Sequence, residues 1–270
     1  MSYREWEDSR LSCQALIHAA AVRHRHGIPA SQYLEENTRL TRQLLTGSNG
    51  RCERFVLVSS ISVFGWPRSL PITEKAPYAP VGPYGRSKVE CEQIVREWGM
   101  PYAIVRPSIT YGPGDTNGMV EKLLRLLRAN KFRIVGSGRN RLQLVYVDDL
   151  SWAIAETALR PNLSGSEFIC TYQDPISMID LVRLAASAIG TTPPRFHAPI
   201  PLTRAAATLL EGLETLGLLR GEPLATHEKI DMITTDRAYD ISHMREVLDW
   251  SPPTDYVVGL ARTARALSPA

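Results

Sequence analysis

The feature that most constrains this chain is a repeated alternation, in which short apolar runs without polar breaks are separated by stretches of helical spacing. "CQALIHAA" reads as a strand, "SQYLEENTRLTRQLL" as an amphipathic helix and "RFVLVSS" as a second strand. The helix "PYGRSKVECEQIVREWG" follows, and then the strand "YAIVRPS". Strands that are apolar along their whole length are buried on both faces, and strand-helix-strand order supplies the crossover that parallel strands need. The sequence therefore predicts an α/β fold built on a doubly wound parallel sheet.

Beyond Pro107 the pattern loosens. A Gly/Pro loop "YGPGDTNG" precedes a helix "MVEKLLRLLRAN" and a strand pair around "FRIVGSGRNRLQLVYV". Residues 149–159 and 176–189 have helical spacing. "AAATLLEGLETLGLL" reads as a lid or core helix, and "DYVVGLARTARAL" closes the chain as a helix. The proline-rich stretch 190–203 is the nearest thing to a linker. With 270 residues, 44% of them hydrophobic, the chain can bury a full core. The expectation is a single domain over 1–270, with a small C-terminal substrate lobe drawn mainly from 108–145 and 173–250.

Charge and cysteine usage narrow the partners. The net charge is +3 and the 31 basic residues are spread along the chain, so there is no footprint for nucleic acid and a small-molecule partner is expected. Cys13, Cys52, Cys91 and Cys170 match no metal or redox spacing and read as reduced thiols of a cytoplasmic protein. "MSYREWEDSR" is charged and "ALIHAAAV" is too short for a signal core, so no membrane span is expected. His24 and His26 stand near His18 without a supporting carboxylate or cysteine, which favours a basic loop over a metal site, and no metal is expected. Asp148 and Asp149 precede "LSWAIAETAL" and read as a helix N-cap rather than a catalytic pair.

The chemistry concentrates in "VGPYGRSKVECE". Pro83 suits the first turn of a helix, where its missing N–H costs nothing, so Tyr84 opens that helix. Residues four apart share a helix face, which sets Lys88 beside the Tyr84 phenol. The ammonium is expected to favour phenolate and draw the phenol toward the range of a general base. Ten tyrosines and five lysines make a chance Tyr-x-x-x-Lys in roughly one chain in five, so the pair needs company. "FVLVSSISVFG" supplies it by placing Ser59 and Ser60 at the carboxyl end of a strand, where open α/β sheets gather their ligands. The plainer alternative is that both serines satisfy backbone groups at a strand end.

Taken in order, "ALIHAAA", "EENTRLTRQLL", "RFVLVSSISVFG", "PYGRSK", "VRPSITYGPGD" and "LVYVDDLSWAI" resemble the extended short-chain dehydrogenase/reductase family, also called the NAD-dependent epimerase/dehydratase family. The resemblance covers nearly the whole chain. It implies a Rossmann-like fold in which Tyr84 is the catalytic acid/base, Lys88 tunes it and holds the nicotinamide ribose, Ser60 is the catalytic hydroxyl and Asn37 props up the site. It also implies that His18, Ala19 and Ala20 lie along the cofactor with Ser59, and that Pro107 stands beside the nicotinamide.

The implied activity is NAD(P)-dependent oxidation, reduction or epimerisation at a secondary alcohol or ketone, on a nucleotide-sugar or a 3β-hydroxysteroid-like substrate. Leu142 stands where nucleotide-sugar members usually carry an arginine, with Arg141 one residue off. The family opens with a strand, a Gly-x-x-Gly-x-x-Gly turn and a helix, and no such turn precedes "ALIHAAA". The expectation is thus a fold truncated at its amino end. It either rebuilds a site for NAD or NADP, or persists as a non-catalytic binding or scaffold subunit, or is a fragment that results from a misplaced start codon. Residues 31–46 and 84–98 resemble the helix pair through which family members dimerise, so a homodimer is expected.

Overall fold

A computed structural model describes residues 12–23, 28–66, 69–116, 118–218, 223 and 225–267. His24 and His26 lie outside them. From the amino end the chain forms β1 (Cys13–His18), α1 (Ala30–Ser48), β2 (Cys52–Val58), a 3-10 turn (Ile61–Phe64), α2 (Pro83–Glu97) and β3 (Tyr102–Pro107). There follow β4 (Ile109–Tyr111), α3 (Met119–Arg128), β5 (Ile134–Val135), β6 (Arg141–Leu142), β7 (Leu144–Tyr146) and α4 (Val147–Leu159). The remainder comprises β8 (Ser166–Cys170), β9 (Ile176–Ser177), α5 (Met178–Ala188), β10 (His197–Ala198), α6 (Ile200–Thr215), α7 (His227–Thr234), α8 (Ser242–Leu248) and α9 (Tyr256–Ala266).

These elements divide into two compact units. The first comprises Met1–Ser108, Asp148–Thr171 and Tyr239–Ser251. Its sheet has the order β1-β2-β3-β8 and is parallel throughout, with His18 opposite Leu57, Leu57 opposite Ile104 and Val105 opposite Phe168. This is the α/β fold that the strand-helix-strand alternation predicts. Side chains alternate along a strand, so Phe55 and Leu57 share one face, where they meet Leu45 of α1 and Cys91, Ile94 and Val95 of α2. Arg54 points to the other face and donates to the carbonyls of Thr157 (2.8 Å) and Arg160 (2.7 Å), satisfying the open end of α4. β2 is therefore covered on both faces, whereas Ile17 of β1 is 44% exposed.

The second unit gathers Ile109–Val147, Tyr172–Ala238 and Pro252–Ala270. Leu124, Leu144, Leu181, Val182 and Leu260 form the middle of its core. Its strands are short and pair as β4 with β7, β10 with β5, and β6 with β9.

Several expectations are corrected. The "FRIVGSGRNRLQLVYV" segment does not form a strand pair with itself. Its three pieces are each two or three residues long and pair with β10, β9 and β4, because glycines 136 and 138 take positive φ and turn the chain between them. Of the lid and core readings for α6, the core one fails: Ala207 is its buried residue, and Leu202 and Leu209 are 67% and 64% exposed. Asp148 and Asp149 lie within the first turn of α4 rather than capping it. Cys13 and Cys52 are not reduced thiols. They are register partners on β1 and β2, their Cα atoms 4.7 Å apart, and they form a disulfide, whereas Cys91 and Cys170 are free and buried. Among the described residues no helix is long and apolar enough to cross a membrane.

Candidate active site

Parallel pairing brings the carboxyl ends of β1, β2 and β3 to one edge of the first unit's sheet, and the expected residues stand there or on α1 and α2 beside it. At the end of β2 the Ser59 N–H donates to the Val105 carbonyl (2.7 Å), which keeps the chain extended through Ser60. Ser60 then caps the 3-10 turn, its hydroxyl accepting from the Ser62 N–H (3.2 Å) and lying 2.9 Å from the Ser62 hydroxyl. α2 opens with Pro83 at its first position, as the sequence requires. A Cβ at position 85 would lie 2.7 Å from the Ser62 carbonyl oxygen, so only glycine there lets the start of α2 approach the serine turn so closely.

That approach brings Ser60, Tyr84 and Lys88 together. The Ser60 hydroxyl hydrogen-bonds the Tyr84 phenol. The Lys88 ammonium sits 5.9 Å from the Tyr84 ring centroid and donates to the Val58 carbonyl (2.8 Å). The balance at the phenol differs from the expectation. Burial pushes Tyr84 up from its usual value, and the Arg23 charge and the Ser60 hydrogen bond pull against it. Burial in turn lowers the Lys88 ammonium, which is 2% exposed.

Asn37 and His18 brace the same corner. The Asn37 side-chain oxygen accepts from the Val22 N–H (2.7 Å), and its amide nitrogen donates to the Val22 carbonyl (3.3 Å) and the Ser87 hydroxyl (2.9 Å). Ser87 donates to the Tyr84 carbonyl (2.8 Å), so Asn37 ties the segment after β1 to the first turn of α2. His18 is buried, with Nε2 3.0 Å from the Thr41 hydroxyl, and burial and then the Lys88 charge lower it to about 4. Ala19 and Ala20 follow it as exposed small residues, and Pro107 ends β3 in a buried position. Ser59 turns elsewhere, donating to the Glu92 carboxylate (2.5 Å).

Sequence reasoning missed the group around Glu92. This fully buried carboxylate accepts from Arg106 Nε (2.9 Å), from an Arg106 terminal nitrogen (2.7 Å), from Arg96 (2.9 Å) and from the Tyr78 hydroxyl. Burial works to raise it, but the Arg106 guanidinium and the hydroxyl donors hold it below the usual carboxylate range. Tyr78 is pushed up to about 12 by burial and by Glu92. The available signal was Arg106 itself, a charge inside the apolar run "YAIVRP". In the second unit Leu142 is buried, and Arg141 is exposed and paired with Asp236 (2.7 Å). Among the described residues no group of His, Cys, Asp and Glu could hold a metal ion.

The family model described as "NAD dependent epimerase/dehydratase family" matches residues 4–167. The chain belongs to the NAD-dependent epimerase/dehydratase family. UDP-glucose 4-epimerase of Vibrio cholerae is 28% identical to it over 263 residues, covering 93% of this chain and 76% of that protein. The 3beta-hydroxysteroid-dehydrogenase/decarboxylase isoform 1 of Arabidopsis thaliana is also 28% identical, covering 80% and 53%. Among solved structures, UDP-glucuronic acid 4-epimerase from Bacillus cereus in complex with NAD superposes with a TM-score of 0.74 at 19% identity, covering 98% of this chain and 77% of that one. The Rossmann-like α/β fold of this epimerase/dehydratase family is thus the fold of the chain.

The family's cofactor can be tested against the residues present. Ala19 and Ala20 are exposed small residues just after β1, and the half-buried Tyr84 and Lys88 stand on α2. These residues fit the nicotinamide-ribose end of NAD. The helix that follows β1 is preceded by Pro29 without a side-chain cap, and no described strand-to-helix turn carries the glycine pattern that cradles a pyrophosphate.

Proposed function

We propose that this chain catalyses NAD-dependent chemistry at a secondary alcohol or ketone of a nucleotide-sugar, with Ser60, Tyr84 and Lys88 as its reacting groups. The observation that carries the reading is the Ser60 hydroxyl on the Tyr84 phenol with the Lys88 ammonium over the same ring. Tyr84 takes the proton from the substrate hydroxyl or returns it to the carbonyl, and Ser60 orients that oxygen by hydrogen bonding. A bound nicotinamide supplies the hydride acceptor or donor. Lys88 helps hold the ribose and stabilises phenolate as it forms, while the Arg23 charge and the Ser60 hydrogen bond offset part of the burial that keeps Tyr84 protonated. Ala19 and Ala20 lie along the cofactor and Pro107 borders the nicotinamide. The same residues would serve NADP.

The second unit, which comprises Ile109–Val147, Tyr172–Ala238 and Pro252–Ala270, serves as the substrate lobe. The nucleotide-sugar class is preferred over a hydroxysteroid because the Vibrio cholerae relative aligns over more of both chains than the Arabidopsis protein does. Leu142, which stands at the position of the family's sugar-site arginine, makes UDP recognition by that route unavailable and leaves the base and phosphates to other side chains of the unit. The reading includes a homodimer through α1 and α2, where Leu34 is 44% exposed.

The test is a fluorescence titration with NADH and NADPH, followed by turnover on UDP-hexoses in the wild type and in Tyr84→Phe. Saturable binding in both proteins is expected, with turnover abolished in Tyr84→Phe. Retained turnover in that variant removes the proton-transfer assignment. A folded protein that binds neither nucleotide supports a non-catalytic binding subunit instead.

A further inference from the structure

Glu92 sits one helical turn beyond Lys88 on α2, fully buried, and its donors come from four separate pieces of the first unit. Ser59 belongs to the end of β2, Tyr78 to the loop before α2, Arg96 to α2 itself and Arg106 to β3. Arg106 is 1% exposed and also reaches Glu167 on β8 (2.5 Å), while its guanidinium lies 5.2 Å from the Phe64 ring centroid of the 3-10 turn. Burying such charges carries a desolvation penalty that apolar residues of the same size would avoid, so the stability gained by the cluster is small beside what it fixes in geometry.

We propose that Glu92 is a positioning residue, which acts through Ser59 to hold the neighbouring Ser60 hydroxyl against the Tyr84 phenol. This rests on the reading of Ser60 and Tyr84 as reacting partners. Ser59 is gripped twice, by its N–H on Val105 (2.7 Å) and by its hydroxyl on Glu92 (2.5 Å), and the second grip sets its rotation about the chain. Ser60 follows in extended conformation, so a rotation at Ser59 swings its side chain across the start of α2. The carboxylate that holds Ser59 rides on the helix that carries Tyr84 and Lys88. Serine turn and helix are therefore locked together by one bond between buried side chains, alongside the glycine contact at position 85. Arg106 and Arg96 keep Glu92 ionised and fix the direction of its two oxygens.

Three variants test this. Ser59→Ala removes only the grip on Glu92, Ser59→Thr keeps the hydroxyl, and Glu92→Gln replaces one accepting oxygen by an amide that cannot accept. Two readouts are taken: the split between kcat and cofactor Kd, and the NMR resonance of the Tyr84 ring carbon bearing the hydroxyl, identified by its loss in Tyr84→Phe. In Ser59→Ala and Glu92→Gln the resonance should move and kcat should fall roughly tenfold with Kd unchanged, and Ser59→Thr should restore both. A Tyr84 resonance that stays in place in Ser59→Ala overturns the proposal, and this variant decides alone if Glu92→Gln does not fold. Loss of the proton-transfer reading is seen separately, as turnover that survives Tyr84→Phe. The resonance reports on positioning whether or not turnover is detected.

Discussion

His18 gives a pH dependence of stability that can be worked from its surroundings. The Thr41 hydroxyl spends its proton on the Asn37 carbonyl (2.8 Å) or on Cys91, so it meets His18 as an acceptor and His18 carries its own proton on Nε2. Nδ1 then holds a lone pair, is buried, and has no hydrogen-bond partner among the described residues. Protonating it would place a cation without a counter-charge in a pocket that already faces Lys88, which is why the ring is lowered from 6.5 to about 4. The unfolded chain takes up this proton near 6.5 and the folded chain only near 4, so each step down through that window favours unfolding. The contribution is fully present above the unfolded value and is lost as pH falls. Linkage gives a loss of about 2 kcal/mol between pH 7 and pH 5, and about 3 kcal/mol once the folded ring is also protonated.

The assay is urea unfolding followed by tryptophan fluorescence. The second unit's segments contain no tryptophan, and Trp66, Trp98, Trp152 and Trp250 all belong to the first, so the signal reports the unit that holds His18. His18→Gln keeps a polar reach toward Thr41 but does not titrate. Its stability should fall less between pH 7 and pH 5 by the amount assigned to His18, whatever its offset at pH 7. Parallel pH curves for the two proteins would refute the assignment of a neutral, unprotonatable His18 to the folded state.

Two further substitutions probe the same corner. Asn37→Ala leaves the Val22 N–H and carbonyl and the Ser87 hydroxyl without their shared partner, and should destabilise the first unit by roughly 2–4 kcal/mol in the same urea assay. Gly85→Ala drives a methyl to 2.7 Å from the Ser62 carbonyl oxygen, a backbone atom that cannot swing aside. It should separate the start of α2 from the serine turn and lower kcat by tenfold or more, with a smaller change in cofactor Kd from the titration.

What the sequence disclosed and what it concealed follow from the range of the forces involved. β2, β3, α1 and α2 were legible because their signals are local: continuous apolar runs, helical spacing, and a proline at the first turn of α2. β8, with the sequence "SEFIC", and β4, with "ITY", were not read as strands. A five-residue run flanked by polar positions and a three-residue one carry too little periodicity, and both exist because β3 and β7 offer them a partner from far along the chain. The Tyr84–Lys88 pair was visible as a spacing, but its electrostatics were not. Helical register says that an ammonium is near a phenol, whereas the direction of the phenol's shift depends on how much protein surrounds it, and burial of Tyr84 outweighs the Arg23 charge and the Ser60 hydrogen bond that pull it down. Glu92 was hidden for the complementary reason. On a helix with alternating charges it reads as a solvated residue, and only the arrival of Arg106 from another strand turns it into a buried anion. A charge that interrupts an otherwise apolar parallel strand is thus the sequence signal to search from, because burial obliges it to find a partner and that partner marks a point where distant elements are locked together.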